Sequence, residues 1–185
     1  MNFCSNCGAP VALTIPPGDT LPRHVCGACN RIHYRNPRIV VGCIPEWRDT
    51  ILLCRRAIEP RYGLWTLPAG FLENGETLEQ GAARETLEEA RAKVEIGELY
   101  TIYNLPHVNQ VYILFRARLL APEFSAGTES LEARLFAETG VPWNDLAFAT
   151  IRGTLAHYYE DRSAGSFRLH LGTITSPPRE TPTAA

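Results

Sequence analysis

The chain has 185 residues, 45% of them hydrophobic, enough for one substantial core or for one core with a small satellite, and too many for a mini-protein. Its 18 Lys plus Arg nearly balance 20 Asp plus Glu, and the net charge of -2 excludes a polyelectrolyte attraction to nucleic acid or membrane. The longest apolar runs, such as Ile39 to Val41 and Val111 to Phe115, fall far short of the roughly 20 residues of a membrane span, and Met1-Asn2-Phe3-Cys4 has no signal or transit character, so a soluble cytoplasmic protein is expected.

Four of the six cysteines form two Cys-x-x-Cys pairs, Cys4 with Cys7 and Cys26 with Cys29, separated by 18 residues. Such pairs let four thiolates converge on one tetrahedral zinc ion, and Gly8 and Asn30 directly after each pair tolerate the left-handed backbone of the turn. Two redox-active pairs or chance clustering are the competing readings. Four thiolates leave no open coordination position, so this zinc is expected to be structural, holding together residues 1–36, which are too few for a core of their own. Arg23, Arg31, Arg35 and Arg38 stand against Asp19 alone near this segment, a basic excess too small to predict nucleic-acid binding.

After Asn36-Pro37, Arg38 to Ile44 reads as a buried strand and Thr50 to Arg56 as its hairpin partner across a polar turn at Glu46 to Asp49. Cys43 and Cys54 fall within them as small buried hydrophobes. Residues 57–75 contain Pro60, Gly63, Pro68, Gly70 and Gly75 and read as a long functional loop. Thr77 and Gln80 have the form of a capping box, opening a helix to about Ala92. Val94 to Tyr103, Gln110 to Leu119 and Leu131 to Ala137 read as strands, with a turn around Asn104 to Asn109, and Ala149 to Asp161 as a helix. The fold class is α+β, with residues 37–175 as the main domain and 176–185, carrying three prolines, as a disordered tail.

At about 100° per helical residue, Glu85, Glu88 and Glu89 share one face, with Glu88 about 60° to one side of Glu85 and Glu89 about 40° to the other. Ala83, Leu87 and Ala90 lie opposite and are expected to bury against the sheet. Three adjacent carboxylates repel, and a hard divalent cation such as magnesium or manganese removes that cost; a solvated acidic face is the alternative. Arg84, four residues before Glu88, is placed to pair with it.

The wider pattern is Gly70, five residues, Glu76, seven residues, then Arg84-Glu85-Thr86-Leu87-Glu88-Glu89. It resembles the Nudix box, with departures at Thr86, Arg91 and Ala92, where the box prefers an aliphatic residue, a glycine and an aliphatic residue. The resemblance implies an α/β/α sandwich with a mixed sheet and a pyrophosphohydrolase of nucleoside diphosphates linked to a variable group. It implies Mg2+ or Mn2+ at Glu85, Glu88, Glu89 and the Gly70 carbonyl, with Arg84 orienting a glutamate and Glu76 supporting it. Glu89 is the chosen acceptor of the attacking water's proton, with Glu129 and Glu132 as rivals.

A four-cysteine ribbon before such a domain is similar to the NADH pyrophosphatases, but their downstream Ser-Gln-Pro-Trp-Pro-Phe-Pro motif is absent. Asn36 to Cys43, Gly63 to Gly70, Glu129 to Phe136 and His170 to Ile174 resemble instead the FAD pyrophosphatase branch, typified by the plant chloroplast enzyme. The expected reaction is therefore FAD to FMN and AMP, with NADH or ADP-ribose as alternatives, and a ligand-sensing or nucleic-acid-binding Nudix-like module as a further one. For the substrate's rings and phosphates the candidates are Tyr62, Trp65, Phe71, Tyr103 and Tyr112, and Arg55, Arg56 and Arg61, although any single aromatic can be core and any single arginine a solvated strand end. The resemblance leaves a homodimer open.

Overall fold

The computed structural model describes residues 1–175; the tail expected at 176–185 lies outside the described residues. The chain divides into two compact units, Met1–Pro37 and Arg38–Ala185.

The first unit is a three-stranded antiparallel sheet of β1 (Val11–Thr14), β2 (Arg23–Cys26) and β3 (Ile32–His33). Gly8 and Asn30 take φ of 75° and 55°, the left-handed conformation expected after each cysteine pair. Their N–H groups donate to the carbonyls of Cys4 and Cys26, each at 2.9 Å, which closes two equivalent turns. Arg23 is neutralised by Asp19 at 2.8 Å, removing one charge from the basic excess of this segment.

The second unit contains β4 (Arg38–Trp47), β5 (Thr50–Arg56), β6 (Trp65–Thr66), β7 (Ala69–Phe71), α1 (Leu78–Ala90), β8 (Val94–Leu105), β9 (Gln110–Leu119), β10 (Ser130–Ala137), α2 (Ala149–Ala164) and β11 (His170–Thr173). The strand order is β10-β5-β4-β9-β8-β11, with β6 added on β5 and β7 on β4. The β4/β9 and β8/β11 pairs are parallel and the others antiparallel, so the sheet is mixed.

One face of the sheet packs under α1, where Cys43, Phe115 and Ala117 meet Ala82, and Leu52, Cys54 and Leu119 meet Ala90 and Ala92. The other face carries the largest core, in which Ile44, Ile51, Leu53, Tyr100 and Leu114 pack with Ile151, Leu155, Tyr158 and Tyr159 of α2. The result is the expected α/β/α layering.

The stretch 57–75 departs from the expected plain loop, because it contributes β6 and β7. The strands β4 and β5 pair only at Glu46 with Ile51 and Trp47 with Thr50, and then diverge. The strand β7 fills the β4 side, with Val40 opposite Phe71 and Gly42 opposite Ala69, and β6 fills the β5 side, with Cys54 opposite Thr66. A side chain at Gly42 would collide with the Pro68 carbonyl and Ala69, so this close crossing requires glycine.

The capping box is formed as expected: Thr77 Oγ1 accepts from the Gln80 N–H at 3.2 Å, and Gln80 Oε1 accepts from the Thr77 N–H at 2.9 Å. The helix ends at Ala90, two residues early, with Arg91 in the left-handed conformation at φ 50° in the position where the box prefers glycine. The hairpin turn between β4 and β5 shortens to Arg48-Asp49, β8 continues to Leu105, and α2 continues to Ala164, where Gly165 caps it at φ 69°.

At the far end of α2, Asp161 Oδ2 accepts from Tyr100 OH at 3.0 Å and from the Arg168 N–H at 3.3 Å, and pairs with His170 Nε2 at 2.7 Å. This buried cluster ties β11 to α2 and β8. Among the described residues no helix is long and apolar enough to cross a membrane.

Candidate active site

The face of α1 turned inward differs from the expected one. Leu87 is 47% exposed, whereas Gly81, Ala82, Glu85, Thr86, Glu89 and Ala90 are buried. That arc is centred near Glu89, so Glu85 and Glu89, each 8% exposed, point toward the sheet and only Glu88 faces outward. Small residues make this approach: a Cβ on Gly81 would press on Val41 at 2.7 Å, and Thr86 replaces an aliphatic side chain by donating to the Ala82 carbonyl at 2.9 Å and bonding Cys43 Sγ at 3.1 Å.

Arg84 joins this helix to the loop before it. Its Nε donates to Glu76 Oε1 at 2.6 Å, and its Nη1 to Glu85 Oε1 at 2.7 Å and to Glu88 Oε2 at 3.0 Å. Its Nη2 donates to the Phe71 carbonyl at 3.1 Å and to Glu76 Oε2 at 3.0 Å. Glu76 in turn accepts from the Glu73 N–H at 3.1 Å. One planar guanidinium therefore sets three glutamate rotamers, Glu76, Glu85 and Glu88, and with them the turn that follows β7.

Gly70 lies against Glu85 so closely that any side chain there would collide with the carboxylate. Next to it, the Ala69 N–H donates to Glu89 Oε2 at 3.4 Å. The helix end is clasped by the turn before β10, whose Ser125 and Gly127 N–H groups donate to the Ala90 and Glu89 carbonyls, each at 2.9 Å. A Cβ on Gly127 would strike the Glu88 carbonyl. No motif in the sequence marks this turn, which carries Glu129 at its end.

Burial pushes the Glu85 carboxyl up despite Arg84 beside it. Burial and then the neighbouring Glu85 charge push Glu89 up to about 8, and the Glu129 charge adds to both shifts. Glu76 moves the other way: the hydrogen bonds from Arg84, foremost among the causes, hold its carboxyl below the usual range. The donor set therefore suits a divalent cation: two buried, mutually repelling carboxylates, Glu85 and Glu89, with Glu85 set against a glycine backbone at Gly70. In this structure Glu85 and Glu88 are held on Arg84, and among the described residues the group of His, Cys, Asp or Glu that comes together as a metal site is the cysteine cluster.

In that cluster the four Sγ atoms lie within 4.8 Å of one another, with Cys4 to Cys29 at 3.7 Å and Cys7 to Cys26 at 3.5 Å. Tetrahedral zinc with bonds of about 2.3 Å places thiolates about 3.8 Å apart, so the residues fit the ion. Asn6 donates its backbone N–H to Cys4 Sγ at 3.4 Å, as a Cys-x-x-Cys turn allows, and one further contact lies outside what the spacing predicts: His33 Nε2 is 3.2 Å from the same sulfur. A single histidine on a two-residue strand carries no spacing signal.

The substrate candidates separate. Trp65 is 8% exposed and packs edge-on against Phe136 at 4.8 Å, inside the α2 core. Tyr103 is also buried, under Gly153 and Gly172, while Tyr112 opposite it on β9 is half-buried. Tyr62, Phe71, Arg55 and Arg61 are exposed, and Arg56 is half-buried. Glu132 stands opposite Arg55 in the sheet, with Arg134 at 3.9 Å.

The family profile for the NUDIX domain matches residues 36–149, and the profile described as Nudix N-terminal, a zinc ribbon, matches residues 2–35. The chain belongs to the Nudix family. It is similar to a Nudix hydrolase of known structure from Nitrosomonas europaea, at 61% identity and a TM-score of 0.93, covering 95% of this chain and 100% of that one. It is 33% identical to an ADP-ribose pyrophosphatase of Methanocaldococcus jannaschii over 59% of this chain and 67% of that protein. It is 32% identical to the NAD-capped RNA hydrolase NudC of Salmonella heidelberg over 83% of this chain, and there it spans only 56% of the relative's length.

Proposed function

We propose that this Nudix hydrolase cleaves the pyrophosphate bond of a dinucleotide built on ADP, with FAD, giving FMN and AMP, as the preferred substrate and NADH and ADP-ribose as its competitors. The observation that carries the reading is the Arg84 centre, in which one guanidinium aligns Glu76, Glu85 and Glu88 beside Gly70. The names of the relatives, an ADP-ribose pyrophosphatase and an NAD-capped RNA hydrolase, support an ADP-linked substrate. The choice of FAD within that class rests on the segments Asn36 to Cys43, Gly63 to Gly70, Glu129 to Phe136 and His170 to Ile174.

In this reading Glu85, Glu88, Glu89 and the Gly70 carbonyl hold Mg2+ or Mn2+, which when bound neutralises pyrophosphate oxygens and acidifies a water. Arg84 holds Glu85 and Glu88 before substrate arrives, which limits how far those two carboxylates must move to meet the ion. One water is consumed as one bridging P–O bond breaks, and Glu89 takes the water's proton, with Glu129 at the neighbouring turn as the alternative acceptor. The structural zinc belongs to Cys4, Cys7, Cys26 and Cys29.

The test is kcat/KM for FAD, NADH, ADP-ribose and a nucleoside triphosphate mixture, with magnesium or manganese and with products separated chromatographically. FMN and AMP from FAD, at least about tenfold ahead of the others, is the expected result, a margin of about 1.4 kcal/mol in transition-state binding. A preference for NADH or ADP-ribose would displace FAD while keeping the class, and the absence of turnover on every substrate would refute the reading.

A further inference from the structure

Successive residues of a strand point to opposite faces of its sheet. On β5, Leu52 and Cys54 pack with Ala90 and Ala92 at the end of α1, whereas Ile51 and Leu53 belong to the α2 core. By the same alternation Arg56 leaves the strand on the α1 side and Arg55 on the other, and from this last position of β5 the Arg56 guanidinium reaches past the strand end to Phe148, which packs against the α2 core. The cross-strand partner of Arg56 is the buried Ser130.

The two arginines also differ in what they touch. Arg55 is exposed, stands opposite Glu132 and donates its Nε to the Gly63 carbonyl at 2.9 Å. Arg56 is half-buried, donates its Nε to the Pro60 carbonyl at 2.9 Å and lies over the Phe148 ring at 5.1 Å. Among the described residues Arg56 forms no ion pair, and its two terminal nitrogens have no hydrogen-bond partner. Its charge nevertheless acts on Tyr112 of β9, opposing the upward push of burial there. A guanidinium oriented through Nε and one ring face, with its outer N–H groups unspent, presents the fork that recognises phosphate oxygens.

We infer that Arg56 binds the pyrophosphate of the substrate, held by the Pro60 carbonyl and the Phe148 ring at the opening between β5 and the glutamate face of α1. Arg55, one residue away, faces elsewhere. This assignment rests on the pyrophosphohydrolase reading and adds to it a phosphate contact outside the Nudix box.

The experiment measures calorimetric binding of α,β-methylene-ADP, whose P–C–P bridge resists hydrolysis, to the full chain with magnesium present, alongside kcat and KM on the substrate panel. Arg56→Ala is expected to weaken binding by about tenfold or more and to raise KM in parallel, with the thermal transition retained. Arg56→Lys is expected to recover part of the loss, since it keeps the charge without the fork, and Arg55→Ala to cost less than Arg56→Ala. Binding by Arg56→Ala within twofold of wild type, or a larger loss in Arg55→Ala, overturns the inference. Wild-type protein that binds the analogue but hydrolyses nothing on the panel refutes the proposed function alone, and the binding comparison then still decides the role of Arg56.

Discussion

The N–H of Gly127 donates to the carbonyl of Glu89 at 2.9 Å, an approach that leaves no room for a Cβ against the adjoining Glu88 carbonyl. The obstacle is backbone, which cannot rotate away as a side chain could. Gly127→Ala is therefore expected to shift the turn and the helix end, costing about 1–3 kcal/mol of stability and about 10–100-fold in kcat through displaced carboxylates. Ser125→Ala, which keeps its backbone donor, should stay within about 0.5 kcal/mol of wild type. Denaturant unfolding and steady-state kinetics on both variants check this, and an unaltered kcat in Gly127→Ala would count against it.

Arg84→Lys preserves the charge and loses the geometry. An ammonium cannot reach Glu76, Glu85, Glu88 and the Phe71 carbonyl together, so the variant should lose about 100-fold in kcat/KM. If the role were charge alone, lysine would restore activity that Arg84→Ala lacks; comparing the two variants at saturating magnesium separates the cases.

Asp161 supplies a pH-dependent part of stability. Burial alone would raise its carboxyl, but His170, the Arg168 N–H and Tyr100 OH outweigh that and hold it below its unfolded value. A carboxylate lowered on folding stabilises above the unfolded pKa and loses that contribution as pH falls through the folded one. Asp161→Asn is expected to cost about 1–3 kcal/mol at pH 7, with the gap narrowing as pH drops below about 4. Urea unfolding of both proteins across that range measures it, and a gap independent of pH would contradict it.

His33 Nε2 lies 3.2 Å from the sulfur of Cys4, where a ring N–H would steady a zinc-bound sulfur. With zinc in the ribbon, His33→Ala should weaken the metal about 10–100-fold without abolishing it, whereas Cys26→Ser removes one of four ligands. Competition with a chromogenic chelator, read as zinc released per chain, should rank wild type above His33→Ala above Cys26→Ser.

Much of this is legible in the sequence. The Thr77/Gln80 box and the two Cys-x-x-Cys turns are local arrangements, each closed by residues a few positions apart, and their geometry follows from residue type. The inward face of α1 is not legible in the same way, because a wheel drawn from solubility alone assigns glutamates to solvent, whereas here the arc around Glu89 turns toward the sheet and leaves Leu87 outside. The strands β6 and β7 are hidden for another reason. At two and three residues among prolines and glycines they have no periodicity, and they exist through pairing with β5 and β4. Arg55 and Arg56 are indistinguishable as neighbours in a sequence, and only the pleat assigns them to different faces.

The divergence of β4 and β5 beyond Trp47 and Thr50 places the proposed tasks on separate branches of one fork. The β4 branch carries β7 and Gly70 beside the glutamates, and the β5 branch carries β6 and Arg56. Because β7 pairs with β4 and β6 with β5, a substitution that displaces Arg56 on the β5 side need not disturb the β4/β7 pairing that sets Gly70 against Glu85.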